Sequence, residues 1–233
     1  MPIYKIDGSE VACGGGGSPI SGKRILMIGD SNMQYSGETI KDYMESTYGC
    51  SFTVLAKAGI TWEYTGDESS AENVTTPSGV GYTNEIIAQA GGNIISSWDY
   101  IVYMLGSNCV NPGTLSDTAA NFDTMCGAMR YCLQKLCYYA RAIRLGIVVP
   151  IRWNDGYTPG PNTGAMPERI QHIEEIARQF SVPTLNMWNR GRIIPDNFTP
   201  SGKTYYLQDD KHMGGNGTTQ FERTIGKWLA YEL

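Results

Sequence analysis

The sequence predicts an α/β fold, a three-layer sandwich in which helices cover both faces of a five-stranded parallel sheet. Short apolar strand candidates alternate with amphipathic helix candidates from residue 24 to the C-terminus, the pattern of βαβ units. The first strand candidate, Arg24 to Gly29 (RILMIG), is a continuous apolar run, as a central strand buried on both faces requires. A chain of 233 residues is long enough to bury the core of one such domain.

The elements follow in order. After the first strand, Ile40, Tyr43, Met44 and Tyr48 fall on one helical stripe, and Gly49 supplies the stop. Phe52 to Ala58 is the second strand. A long polar loop leads to a helix over Glu85 to Ser96, and Tyr100 to Leu105 is the third strand. Phe122, Met125, Met129, Leu133, Leu136 and Ala140 keep helical spacing and run into the fourth strand, Gly146 to Ile151. Pro167 opens a helix that carries Ile170, Ile173, Ala177 and Phe180, since proline is tolerated in a first turn. Thr184 to Trp188 is the last strand, and Phe221, Ile225, Trp228 and Leu229 mark the closing helix. The arrangement expected is that of flavodoxin. Residues 1–22, with the glycine run Gly14 to Gly17, read as an extension and linker, leaving 23–233 as a single domain.

Composition excludes several classes of function. Hydrophobic residues are 41% and charged residues 18% of the chain, which a disordered or collagenous protein does not show. A net charge of −5 offers no basic footprint for nucleic acid or anionic lipid. The longest apolar runs fall far short of the roughly 20 residues that span a bilayer. No basic stretch precedes an apolar core near the N-terminus, so the reading is no secretory signal, with the cytoplasm as the default compartment and a virion or cell-surface assembly as the alternative. Of six cysteines, Cys126, Cys132 and Cys137 share one expected helix. At about 1.5 Å rise per residue they stand too far apart for disulfides, so packed free thiols are expected. No C-x-x-C occurs, and neither a metal nor a cofactor is called for. Gly17-x-x-x-x-Gly22-Lys23 mimics a phosphate loop, but Arg24 replaces the Ser/Thr and a strand follows where a helix is needed.

In open α/β sheets ligands bind beyond the carboxyl ends of the strands, so chemistry is sought in the loops that begin there. The first strand ends in Gly29-Asp30-Ser31-Asn32. This sets a hydroxyl at a helix N-terminus, where free N–H groups favour a developing oxyanion. A serine nucleophile needs a base, and there are only two histidines. His172 lies about 200° around its helix from Ile170, at roughly 100° per residue, which reads as a solvated surface position. His212 follows Asp209 by three residues, close enough for the carboxylate to hold Nδ1 and leave Nε2 for the serine proton. Asp210 reads as a solvated charge. Gly59, lacking a Cβ, and Asn108 in Gly106-Ser107-Asn108 end the second and third strands and can donate to the same oxyanion.

Taken in order, these motifs resemble the SGNH hydrolases, the GDSL-like esterase superfamily. Gly29-Asp30-Ser31 is similar to the first block of that family, Gly59 to the second, Gly106-Ser107-Asn108 to the third and Asp209-x-x-His212 to the fifth. The resemblance implies Ser31 as nucleophile, His212 as base and Asp209 as its orienter. It also implies an oxyanion hole of the Ser31 and Gly59 N–H groups and the Asn108 side chain. One departure stands out: Cys109 occupies the place where many members carry aspartate, so the hole is expected to survive with altered outer support.

The implied reaction is hydrolysis of a carboxylic ester through an acyl-enzyme. Trp62 and Tyr64 after the second strand, Trp153 and Tyr157 after the fourth, and Asn32 beside the nucleophile are the candidate substrate contacts. Aromatic faces beside Asn154 and Asp155 suit a sugar ring, which suggests an acetylated carbohydrate. Two other classes compete. One is a non-catalytic module tethered through the glycine-rich segment to a phage tail or cell-surface assembly. The other is a metal-dependent hydrolase using Asp30, Asp209, Asp210 and His212.

Overall fold

The computed structural model describes residues 17–89, 97–139, 142–151, 166–193, 206–209 and 211–233. Five parallel strands form one sheet: β1 (Arg24–Gly29), β2 (Ser51–Ala56), β3 (Tyr100–Met104), β4 (Arg144–Val149) and β5 (Thr184–Asn186), in the order β2-β1-β3-β4-β5. The helices are α1 (Ser31–Tyr48), α2 (Gly79–Gln89), α3 (Met125–Tyr139), α4 (Met166–Gln179), a short α5 (Met187–Arg190) and α6 (Gly215–Tyr231). Helices α1 and α6 pack together, as do α2 with α3 and α3 with α4. Right-handed crossovers place these two groups on opposite faces of the sheet. The three-layer α/β/α sandwich expected from the sequence is the fold observed.

The core reflects the strand sequences. Ile25, Leu26, Met27 and Ile28 of β1 are buried on both faces, between Phe52 to Leu55 of β2 and Tyr100 to Tyr103 of β3. Gly29 aligns with Ala56 on one side and Met104 on the other. A Cβ at Gly29 would lie 2.3 Å from Met33 Cγ, so only glycine lets α1 turn this closely off the strand. Asp30 caps α1 by accepting the Asn32 N–H at 3.0 Å, and Gly49 closes the helix in the left-handed region, at φ 68. The strand order reverses beside β1, so the crevice outside the carboxyl ends of β1 and β3 is the switch point where this architecture binds ligands.

Several expected boundaries shift. The packed fold begins before Lys23: Ile20 is fully buried, and Gly22 N–H donates to the Gly49 carbonyl. Burial of one isoleucine against neighbouring elements leaves no periodic trace in a glycine-rich segment. Strand β2 ends at Ala56 rather than Ala58. Helix α2 starts at Gly79, six residues ahead of Glu85, while residues 90–96 lie outside those described. Strand β5 stops at Asn186, whose side chain accepts the Asn189 N–H and starts α5, so Met187 and Trp188 are helical. The five described cysteines, Cys50, Cys109, Cys126, Cys132 and Cys137, are free thiols. Among the described residues, no helix is long and apolar enough to cross a membrane.

Candidate active site

Ser31 is the first residue of α1, directly beyond the β1 edge, and is 7% exposed. His212 and Asp209 lie in a tight turn just before α6. Leu207 and Met213 form an antiparallel bridge across that turn, and Gln208 N–H donates to the His212 carbonyl at 2.9 Å. Asp209 Oδ1 accepts the Lys211 N–H at 2.9 Å and the His212 N–H at 2.7 Å, an Asx-type turn built by the aspartate itself. Its other oxygen, Oδ2, lies 2.7 Å from His212 Nδ1. His212 Nε2 lies 2.9 Å from Ser31 Oγ. The serine, histidine and aspartate picked out in the sequence therefore form one continuous chain of hydrogen bonds. The serine and histidine are separated by 181 positions.

Electrostatics fit that arrangement. Partial burial raises the Asp209 carboxyl, but the His212 side chain and the Lys211 and His212 N–H groups outweigh it, and the net shift is downward. A carboxylate held ionised can fix the Nδ1–H tautomer and leave Nε2 as the acceptor. Asp30, beneath the serine, behaves in the opposite way. Its burial raises the carboxyl above the ordinary range, although the Ser107 hydroxyl, the Asn32 N–H and the charges of His212 and Lys211 pull it down. Among the described residues, Asp30 Oδ2 and Ser107 Oγ are buried without a partner in hydrogen-bond geometry.

The two other strand-end loops meet each other. Gly59 adopts φ 81 and Gly106 φ 124, the left-handed region that glycine tolerates. Lys57 N–H donates to the Gly29 carbonyl at 3.2 Å, and Ala58 N–H to the Gln34 side chain, which ties the Gly59 loop to β1 and α1. Asn108 Nδ2 donates to the Ile60 carbonyl at 3.3 Å, so the Gly59 and Asn108 loops adjoin. A carboxylate also reaches the third loop, although position 109 is cysteine: Glu63 Oε1 accepts the Val110 and Asn111 N–H groups. Glu63 is 2% exposed and its carboxyl is raised by burial, partly offset by those N–H groups and the Cys109 thiol. Arg169, 1% exposed, donates to the Gly106 and Ser107 carbonyls from α4 at 3.3 and 3.1 Å.

Several sequence expectations are corrected. Trp62 presents no face to a ligand: it is fully buried, stacked on Tyr103 at 4.9 Å between ring centroids, and its indole N–H donates to the Leu105 carbonyl at 3.2 Å. Its apolar area is worth more in the core than at the surface. Asn32 is also buried, 2% exposed, and both ends of its amide are taken by backbone: Oδ1 by the Met213 N–H at 3.0 Å, and Nδ2 by the Lys211 carbonyl at 3.3 Å. Its burial, together with those two backbone bonds, makes it a structural group rather than an open substrate contact. His172 is half-buried rather than solvated, with Nδ1 3.4 Å from Cys126 Sγ, because α4 packs on α3 at that point. Tyr64 is half-buried, stacked on Phe122, and lines a cavity of about 310 Å³ with Gly59, Thr61 and Ser78. A larger cavity, about 690 Å³ along Phe122, Tyr131 and Tyr138, touches none of the three hydrogen-bonded residues. Trp153, Asn154, Asp155, Tyr157 and Asp210 lie outside the described residues. Among the described residues, no three His, Cys, Asp or Glu side chains converge as a metal site.

Tyr35 went unnoticed in the sequence. It is 58% exposed, and its ring meets the His212 ring edge-on at 5.1 Å. The signal was available: Tyr35 follows Ser31 by four residues on one helix, which puts both on the same face. Glu63 and Arg169 left no such signal, because their partners are remote in sequence.

No protein-family model matches the sequence, and no curated protein matches it significantly. Solved structures do share its architecture. A protein from Lactobacillus plantarum is 16% identical, with 92% of this chain and 99% of that one covered at a TM-score of 0.67. An acetylxylan esterase from Geobacillus stearothermophilus is 13% identical over 92% and 97%, at 0.58. A lipase/acylhydrolase from Enterococcus faecalis is 13% identical over 89% and 95%, at 0.57. The fold is that of the SGNH hydrolases. Within the SGNH fold, the hydrogen-bonded serine lies in the match to the first sequence block, and the histidine and aspartate lie in the match to the fifth.

Proposed function

We propose that this chain is a serine ester hydrolase that removes short acyl groups, acetyl foremost, from carbohydrate. The observation that carries the reading is the chain Ser31 Oγ to His212 Nε2 at 2.9 Å and His212 Nδ1 to Asp209 Oδ2 at 2.7 Å. A hydroxyl, an imidazole and an orienting carboxylate at these separations are the parts of a nucleophile–base system.

In the proposed cycle Ser31 Oγ attacks the ester carbonyl while His212 Nε2 takes the hydroxyl proton. The imidazolium so formed is stabilised by Asp209. Negative charge on the former carbonyl oxygen is received by the Ser31 N–H at the positive end of α1, the Gly59 N–H and the Asn108 amide. Collapse breaks the bond to the leaving alcohol, which accepts the proton from His212, and leaves an acyl group on Ser31. His212 then deprotonates a water that attacks the acyl carbon, returns the proton to Ser31 Oγ and releases the acid.

Substrate class is supported by the rim. Tyr35 stands exposed against His212, the group that protonates the leaving alcohol, so its ring is placed to stack on a sugar. The cavity beside Gly59 is lined by Thr61, Thr76 and Ser78 as well as by Tyr64, a largely polar surround suited to small acyl groups and sugar hydroxyls. Two acetylxylan esterases are among the proteins whose solved structures share this architecture.

The test is a fluorophosphonate label followed by peptide mapping, together with acetate release from acetylated oligosaccharides and turnover of aryl esters of increasing acyl length. Labelling at Ser31 with acetate release from a glycan is the expected result. Folded protein that takes no label at Ser31 overturns the mechanism; turnover confined to long acyl chains overturns the substrate class.

A further inference from the structure

We infer that Asn32 is a positioning residue that docks the base onto the nucleophile. Its consequence for catalysis rests on the serine-hydrolase reading above; its geometry does not. The turn that carries His212 folds on itself through the Leu207 to Met213 bridge and the two N–H groups capped by Asp209. Those bonds orient the imidazole toward Asp209. They say nothing about where the whole turn lies relative to Ser31, which comes from the other end of the chain.

Asn32 supplies that missing coordinate. Its Oδ1 accepts the Met213 N–H at 3.0 Å and its Nδ2 donates to the Lys211 carbonyl at 3.3 Å. Lys211 and Met213 are the two peptide neighbours of His212, and Asn32 is the peptide neighbour of Ser31. One planar amide thus grips the backbone on both sides of the base from the residue next to the nucleophile. Asn32 is itself fixed: it is 2% exposed, and its own N–H is held by Asp30 Oδ1 at 3.0 Å. A single side chain must offer a donor and an acceptor here. Aspartate lacks the donor, serine is too short to reach both groups, and glutamine is a methylene too long. Five residues beyond Ser31, the Thr218 hydroxyl donates to Ser36 Oγ at 3.0 Å and ties α6 to α1 independently. Loss of the Asn32 amide therefore releases the turn and not the helix behind it.

The experiment compares Asn32→Ala and Asn32→Asp with the unmodified protein. In Asn32→Ala, kcat on an aryl acetate is expected to fall about 100-fold with KM within about twofold, the effect of a small misplacement of a reacting group. Asn32→Asp keeps the acceptor for Met213 and loses the donor to Lys211, so its kcat falls between the two. Read by NMR, the Met213 amide is expected to exchange roughly tenfold faster in Asn32→Ala. The downfield Nδ1 proton between His212 and Asp209 persists, because the turn holds that bond by itself.

A kcat within threefold of the unmodified protein in Asn32→Ala, or unchanged Met213 exchange, overturns the inference. Should Asn32→Ala fail to fold, Asn32→Leu, close in shape but lacking both donor and acceptor, carries the same two readouts. A protein that neither hydrolyses esters nor takes the label defeats the serine-hydrolase reading alone, and Met213 exchange then still decides whether the clamp exists.

Discussion

Exchanging Asp209 for asparagine removes one proton acceptor and leaves the shape of the turn. In the native turn Oδ1 caps the Lys211 and His212 N–H groups, and Oδ2 faces His212 Nδ1 at 2.7 Å. An asparagine that keeps its oxygen on the two N–H groups must point its NH₂ at Nδ1. The imidazole then takes the Nε2–H tautomer and has no lone pair for the Ser31 proton. Flipping the amide restores the tautomer but abandons two backbone hydrogen bonds, each worth about 1 kcal/mol. About 2 kcal/mol of bias leaves roughly one molecule in 30 correctly arranged. The kcat for aryl acetate hydrolysis should therefore fall at least about 30-fold, toward the roughly 10⁴-fold loss seen when a buried triad aspartate is so replaced. Asp209 is half exposed, so solvent screens the lost charge and stability should change by less than about 1 kcal/mol. Initial rates and urea unfolding on the same preparation separate the two effects. An asparagine variant that keeps more than a third of the native kcat would refute the assigned role.

Five further variants have expected outcomes. Ser31→Ala should lose about 10⁴ to 10⁶-fold in kcat and Asn108→Ala about 10² to 10³-fold, both measurable as initial rates on an aryl acetate. Asp30→Asn tests the buried acid. Its folded pKa is raised, so the folded state holds a proton that the unfolded state releases above the ordinary value of 3.8, and stability falls as pH climbs from there through the folded pKa. The asparagine variant escapes that fall, and its advantage in unfolding free energy from urea titration, on the order of 1 kcal/mol, should be present at pH 7 and absent at pH 3. Trp62→Phe should destabilise by about 1–3 kcal/mol through the orphaned Leu105 carbonyl, yet leave KM for a glycan ester within about twofold. Tyr35→Ala should do the reverse: KM for acetylated oligosaccharide rises about five- to tenfold, with the unfolding midpoint little changed.

Whatever is local in this molecule was legible in its sequence. The RILMIG strand is apolar at every inner position because both its faces are covered, and that needs no partner to recognise. Asp209 and His212 sit three residues apart, so their pairing is decided within one turn. Gly59 and Gly106 mark strand ends where the backbone must enter the left-handed region. Even Tyr35, four residues after Ser31 on one helix, lay within reach of spacing alone.

Tertiary structure decided everything that depends on which remote segment covers a given side chain. Trp62 and Tyr35 are both aromatic residues near strand ends. One is sealed against Tyr103 and the other stands in solvent beside His212; spacing gave the face that Tyr35 shares with Ser31, but the exposure of neither ring is written in its neighbours. The same holds for Asn32, whose amide is claimed by a backbone 179 and 181 positions away, for Glu63, which serves the loop of Cys109, and for Ile20, which is packed although its surroundings read as linker. Periodicity records which way a residue faces within its own element. Burial and hydrogen bonding are set by whatever the folded chain brings to that face, and only the assembled sheet and its loops specify it.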